Sequence, residues 1–371
     1  MKIALVATVE ESVPPKKYGG TEWIIYHLAH LLGKKGHQVD LYAAADSNTQ
    51  PYYNLIPIVD KSLRSVPMFA ENMKIREAAK WMSLVKAAKL IQKKEYDIVH
   101  NHASWRFLTL APLITCPIIT THHGPLNLDY QNFIFLNYKN LPHVSISNNQ
   151  RKDLPQLNFV ATVYNGIDIG MFPLSNAKDY DHMVFLARMS DEKGAIEAAQ
   201  AAQKAGKKIV FGAKIDIVNK EYATKFKPYI DNKYINFRGE MNHEQRLDFL
   251  QKARCLLVPV KWEEPFGLMF IEAMACGTPV ITFARGAAPE IIIDGRTGFL
   301  VNQSDEYRRG NWITKNTGVN GLAEAIKRIY SMSDEEYRKM RQQCRAHVEK
   351  NFTAEIMVNK YEKTYQRIIA Q

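Results

Sequence analysis

Residues 255–279 read C-L-L-V-P-V-K-W-E-E-P-F-G-L-M-F-I-E-A-M-A-C-G-T-P. The apolar run Cys255–Val260 has the length of a buried strand. A Pro-Phe-Gly elbow follows, then a small-residue helical run that Gly277 can cap before Pro279 breaks it. The stretch is therefore strand, loop and helix, with Glu264 in the loop and Glu272 inside the helix. The first helical turn, near Gly267 and Leu268, leaves N–H groups unpaired and carries a partial positive charge. Such a turn at a strand's carboxyl end is a ready anion site, and phosphate is its usual occupant.

A carboxylate beside a phosphate repels it. Two carboxylates that accept hydrogen bonds from hydroxyls flanking a diphosphate do not. Helical side chains lean toward the N-terminus, so Glu272 is expected to reach the pocket that Glu264 borders. A nucleotide-sugar supplies hydroxyls on both sides of its diphosphate, in the ribose and in the transferred sugar. The whole stretch, E-P-F-G-L-x-x-x-E-A-M-A-C-G-T-P-V, resembles the retaining nucleotide-sugar glycosyltransferases of family 4, which have the GT-B fold. That resemblance implies that Glu264 contacts the donor sugar, Glu272 the ribose, and the Phe266-Gly267-Leu268 backbone the donor.

The totals agree with a globular protein. A chain of 371 residues suggests two domains, each able to bury a core, and 46% hydrophobic with 23% charged residues is ordinary for such proteins. No apolar run reaches membrane-spanning length. The start, M-K-I-A-L-V-A-T-V-E-E, reads as a buried strand and not as a signal peptide. Four widely spaced cysteines (Cys116, Cys255, Cys276, Cys344) suggest reduced thiols and a cytoplasmic protein. The net charge of +11 is shared, with +5 in residues 1–172 and +6 beyond, which argues against a nucleic-acid-binding arm.

The first strand, Lys2–Ala7, is not followed by the early glycines of a dinucleotide dehydrogenase. Gly19-Gly20 come late, just before a helix predicted over Trp23–Gly33 with Thr21 as its cap. They let a ligand approach the backbone, and the resemblance sets them against the diphosphate and the acceptor. Residues 47–66, with Pro51 and Pro57, read as an irregular excursion. A long helix is predicted over Glu71–Lys94, with Trp81, Leu84, Val85, Ala88 and Ile91 on one face. Its lysines suit either a solvated helix face or contact with an anionic membrane surface.

Two strands end in His-rich turns, at H-N-H-A-S-W and T-T-H-H-G-P. Ligands gather at such carboxyl ends. The histidine spacing does not build a metal site, and neither a metal nor a cofactor is expected. The resemblance makes His123 the residue that touches the donor sugar near its reacting carbon, where a histidine can donate to a hydroxyl. Asp179-Tyr180-Asp181 spells the metal-diphosphate motif of another glycosyltransferase fold, but in a linker, and is taken as chance.

A second domain begins with strand Met183–Ala187 and R-M-S-D-E-K-G. Arg188 and Lys193 can converge on one pocket and neutralise a leaving diphosphate without Mg²⁺, the one as a planar fork and the other as a point charge. The resemblance places the nucleotide base near Phe237-Arg238-Gly239, making Arg238 a donor-binding candidate. Residues 303–319 read as an inserted loop, followed by three helices.

The expected architecture is α/β, with two Rossmann-like domains facing across a cleft: residues 1–174 on the acceptor side, 175–352 on the donor side, and 353–371 as a helix crossing back. The expected activity is transfer of a sugar from a nucleotide-sugar, with a UDP-sugar favoured, to the hydroxyl of a sugar, glycolipid or small molecule. Two alternatives stand beside it. One is an epimerase or another enzyme of the same fold, and the other is a non-catalytic nucleotide-sugar binding protein.

Overall fold

Short apolar strands alternate with helices throughout, a pattern that forces parallel pairing because each return must pass through a crossover. The computed structural model describes residues 1–16, 19–175, 180–215 and 219–371. The chain divides into two units: Met1–Ile167 with Ala354–Gln371, and Asp168–Thr353. The division thus falls seven residues before the expected 174/175 boundary. Phe172 and Pro173 belong with the second unit because their carbonyls accept from Arg345 and Gln251, at 2.7 and 3.0 Å.

The first unit holds strands β1 (Lys2–Val6), β2 (Gln38–Ala44), β3 (Asn54–Val59), β4 (Ile98–Asn101), β5 (Ile118–Thr121), β6 (His143–Ser145) and β7 (Phe159–Thr162). They form one sheet in the order β3-β2-β1-β4-β5-β6-β7, with every pair parallel. Its helices are α1 (Gly20–Lys34), α2 (Pro67–Glu71), α3 (Met73–Ile91), α4 (Trp105–Leu108) and α5 (Asp129–Asn137).

The second unit holds β8 (His182–Arg188), β9 (Lys208–Lys214), β10 (Ile235–Gly239), β11 (Ala253–Leu257), β12 (Val280–Phe283) and β13 (Gly298–Val301). Their order is β10-β9-β8-β11-β12-β13, again all parallel. Its helices are α6 (Ala195–Ala205), α7 (Lys220–Phe226), α8 (His243–Lys252), α9 (Leu268–Ala275), α10 (Ala288–Ile291), α11 (Gly318–Ser331) and α12 (Asp334–Asn351). Helix α13 (Ala354–Ile369) belongs to the first unit, where Tyr361 and Tyr365 are fully buried.

Each sheet reverses its strand order once: between β1 and β4 in the first unit, and between β8 and β11 in the second. At such a reversal the two crossovers leave on opposite faces, and a crevice opens outside the carboxyl ends of the strands. The fold therefore fixes where each unit can hold a ligand.

Three sequence expectations need correction. The excursion over 47–66 contains β3, which tolerates Pro57 because it lies at the sheet edge. The long helix is broken at Asn72, whose side chain caps α3 by accepting from the Lys74 and Ile75 N–H groups. Its buried stripe is Leu84, Ala87, Ala88 and Ile91, whereas Val85 is 49% exposed, since one residue turns the helix by a little over a quarter of a circle. Finally, α1 starts at Gly20 with Gly19 as its cap, so Thr21 lies inside the first turn. The Asp179 position of the D-x-D lies outside the described residues.

Candidate active site

In the second unit, β8 ends at Arg188 and a single tight turn over Asp191–Lys193 leads to Gly194. Gly194 has φ +71°, and a Cβ there would lie 2.2 Å from the Pro259 carbonyl oxygen. Only glycine lets this turn press against the chain leaving β11. The two exits are stitched together where the Lys261 N–H donates to the Glu192 carbonyl at 2.7 Å. The Lys261 ammonium holds Asp191 and Glu197, both at 2.7 Å.

This abutment brings Lys193 to Glu264. Both are buried, at 5% and 8% exposure, and the ammonium donates directly to the carboxylate. The same carboxylate oxygen accepts from the Trp262 indole N–H at 2.9 Å, and the Lys193 ammonium lies 5.2 Å from the centre of that ring. From the other side, Gly286 (φ +56°) packs so tightly on Glu264 that a Cβ would sit 2.2 Å from its nitrogen. The Ala287 N–H donates to the Glu264 carbonyl at 2.8 Å. Neighbouring Glu263 is held by the Gly286 N–H at 2.9 Å and forms ion pairs with Arg285 and Arg309.

Phe266 is buried edge-on against Phe352, with ring centres 6.0 Å apart. Gly267 takes φ +93° as the cap of α9, and Leu268 opens the helix. At the far end Gly277 is left-handed, and the Gly277 and Thr278 N–H groups cap the Met274 and Ala273 carbonyls. Glu272 is buried and its carboxylate pairs with Arg246 of α8. No motif in the sequence marks Arg246. Arg188 is partly exposed and lies 3.5 Å from Glu192. Arg238 is exposed at the bulge in β10.

The first unit carries the remaining candidates. Gly19 packs against Pro15 and Glu22, leaving no room for a side chain, and Gly20 begins α1. Sequence reasoning missed Glu22, a buried carboxyl that accepts from the Thr8 hydroxyl at 2.5 Å and whose pKa burial raises. His123 follows β5, and its Nε2 lies 2.8 Å from Nδ1 of buried His102, which follows β4. His122 bonds to His143 at 2.9 Å, and Gln150 holds the turn by donating to the carbonyls of His122 and Gly124. Burial pushes His123 and His143 down to about 4, and His100, His102 and His122 well below the usual 6.5.

The structure thus joins Lys193 to Glu264 and surrounds them with Trp262, Phe266 and Gly267. Glu272 pairs with Arg246, and Arg188 closes the β8 strand. Gly19, Gly20 and His123 belong to the other unit. Among the described residues no three His, Cys, Asp or Glu side chains converge as a metal site would require.

The architecture of two parallel-sheet units is the GT-B fold, and it is shared over the full chain with solved glycosyltransferases. Sucrose-phosphate synthase from Thermosynechococcus elongatus matches with a TM-score of 0.76 at 20% identity, over 100% of this chain and 99% of that one. The Anabaena protein HepE, solved in complex with UDP-glucose, matches with a TM-score of 0.74 at 16% identity, over 99% and 100%. In sequence, glycogen synthase of Mycobacterium tuberculosis is 24% identical over 373 aligned positions, covering 87% of this chain and 85% of its own. The family model of the Glycosyl transferases group 1 matches residues 170–347, and that of Glycosyltransferase Family 4 matches residues 18–170. Together the two matches span residues 18–347 and support a group 1 glycosyltransferase.

Two predictions follow from this geometry. Lys193→Met or Glu264→Gln alone leaves a buried group unpaired, with a loss of about 3 kcal/mol in urea unfolding. The double variant recovers much of that stability, and the coupling in the cycle is the direct readout. Separately, the five depressed histidines are neutral when folded but bind protons when unfolded below about pH 6.5, so the unfolded state takes up more protons on acidification. Stability therefore falls as pH drops from 6.5 towards 4, by up to about 1.4 kcal/mol per pH unit for each histidine. Melting temperatures across that range test it, and His123→Gln flattens the decline.

Proposed function

We propose that this chain transfers a sugar from a nucleoside-diphosphate sugar, with a UDP-sugar favoured, to an acceptor hydroxyl, retaining the anomeric configuration and using no metal. The observation that carries the reading is the buried Lys193–Glu264 pair at the sheet reversal of the second unit, beside the start of α9. Each group holds its partner ready, and the donor exchanges one ion pair for two ligand contacts. The Lys193 ammonium moves to the diphosphate, together with Arg188 and the Leu268 turn. Glu264 is released to accept from the sugar hydroxyls. These cations and amide dipoles do the charge neutralisation that a divalent ion does elsewhere.

Glu272 accepts from the ribose diol while Arg246 keeps its charge balanced. Gly267 lets the backbone lie close to the donor, and Arg238 flanks the base. In the first unit His123 donates to the transferred sugar, and the Gly19-Gly20 backbone at the start of α1 lies against the diphosphate and acceptor. The bond from the anomeric carbon to the phosphate oxygen breaks as the bond to the acceptor oxygen forms on the same face. The acceptor proton passes to the departing phosphate. The match to HepE, whose structure contains UDP-glucose, supports a UDP-sugar for this chain.

A panel of UDP-, ADP- and GDP-sugars, each with EDTA present, tests the donor. A UDP-sugar raises the melting temperature, equivalent to about 2.7 kcal/mol at a hundredfold excess over Kd. If no nucleotide-sugar shifts melting, the assignment fails. Loss of transfer in EDTA refutes metal independence, and an inverted anomeric signal in the product's NMR spectrum refutes retention.

No described helix is long and apolar enough to cross a membrane. Peripheral contact is supported by α3, whose exposed Met73, Met82 and Val85 accompany Lys74, Lys86 and Lys89. The protein is expected to pellet with vesicles containing phosphatidylglycerol at low salt but not with phosphatidylcholine alone. Equal pelleting with both removes the basic face from the account.

A further inference from the structure

The histidines at the carboxyl ends of β4 and β5 form an ordered series. His100 Nδ1 lies 2.6 Å from the Tyr365 hydroxyl and its Nε2 lies 2.7 Å from the Thr121 hydroxyl, so both its nitrogens are engaged. Its ring packs on that of His102, with centres 3.8 Å apart. His102 is 2% exposed, and its backbone N–H donates to the Val6 carbonyl at 2.9 Å, anchoring it across the β1–β4 reversal. Its Nδ1 meets His123 Nε2 at 2.8 Å, with the two rings nearly parallel. Among the described residues, the buried His102 Nε2 has no hydrogen-bond partner.

That unpartnered atom decides where the protons sit. A neutral imidazole carries one proton, so the single bond between the rings can run in two directions. If His123 donates from Nε2, the His102 proton must sit on its own Nε2, leaving a buried N–H with no acceptor. If His102 donates from Nδ1, its Nε2 carries only an empty acceptor site. Orphaned buried donors are the rarer of the two. Both rings are kept neutral by burial, which removes the doubly protonated alternatives.

The geometry points to His102 as a positioning residue: its Nδ1–H donates to His123 Nε2 and fixes His123 as the Nδ1–H tautomer, whose free N–H is the donor offered to the transferred sugar. In the opposite arrangement His123 would present a lone pair and could only accept. Tyr365, Thr121 and His100 hold His102 in register, so α13 helps set the orientation of a ring that lies far from it in sequence. The inference rests on the donor-sugar role proposed for His123, but the tautomer itself does not depend on that role.

Two measurements separate the claims. Long-range ¹H–¹⁵N correlation on protein labelled with ¹⁵N-histidine reads the tautomer directly, with His123 assigned by its loss in His123→Gln. At pH 7 the Nδ1–H form is expected, and it is lost in His102→Phe. His102→Asn restores it, because its amide places a donor where Nδ1 stood. An Nε2–H or charged His123 in the native protein overturns the inference. UDP release from UDP-glucose is the second readout. His102→Phe lowers kcat by about tenfold to a hundredfold, as small misplacements at a reacting centre do, with KM for UDP-glucose little changed and partial recovery in His102→Asn. A purely structural His102 would instead show equal losses in the Phe and Asn variants, which also overturns it. If His123 is the Nδ1–H form yet His123→Ala releases UDP at the native rate, the hydrogen bond stands and the donor-sugar role falls.

Discussion

A buried ammonium against a buried carboxylate is tolerable only if the geometry is close and the remaining lone pairs are satisfied. The Lys193–Glu264 pair meets that demand through the Trp262 indole N–H on the carboxylate and the backbone bonds that hold Glu264 on both sides. It also dictates the local chain path. The turn after β8 must touch the chain leaving β11, which Gly194 permits, and the chain leaving β12 presses on Glu264 where Gly286 lacks a side chain. A pair this exacting makes little sense as a contribution to stability, since a hydrophobic replacement would serve as well. Under the proposed function, both charges are held, buried and oriented, where an anion and a polyol can replace them.

The same logic shapes the first unit with different residues. There the sheet reverses between β1 and β4, and its carboxyl edge carries the neutral His102–His123 pair and the buried Glu22, whose pKa burial raises.

Much of this was legible in the sequence because strand ends and glycines carry local signals. The run Cys255–Pro279 announces strand, elbow and capped helix, with Arg188 at a strand's end and Lys193 just before a helix. What stayed hidden has a common cause, long-range partnership. Nothing near Glu272 marks Arg246, because α8 meets α9 only in the fold. Beside Glu264 in the chain, Glu263 has its own partners, Arg285, Arg309 and the Gly286 N–H, which only the fold brings to it. The strand β3 was masked by Pro57, a residue that excludes central strands but not an edge. Val85 went to the wrong face because periodicity alone does not say where the buried arc is centred.

The central claim is that the Lys193–Glu264 pair is the resting form of the donor site. The most direct measurement is a crystal structure with a non-hydrolysable UDP-glucose analogue. The account predicts that the Lys193 ammonium has left Glu264 for the diphosphate, with Glu264 accepting from hexose hydroxyls. An intact pair with the nucleotide bound elsewhere would contradict it.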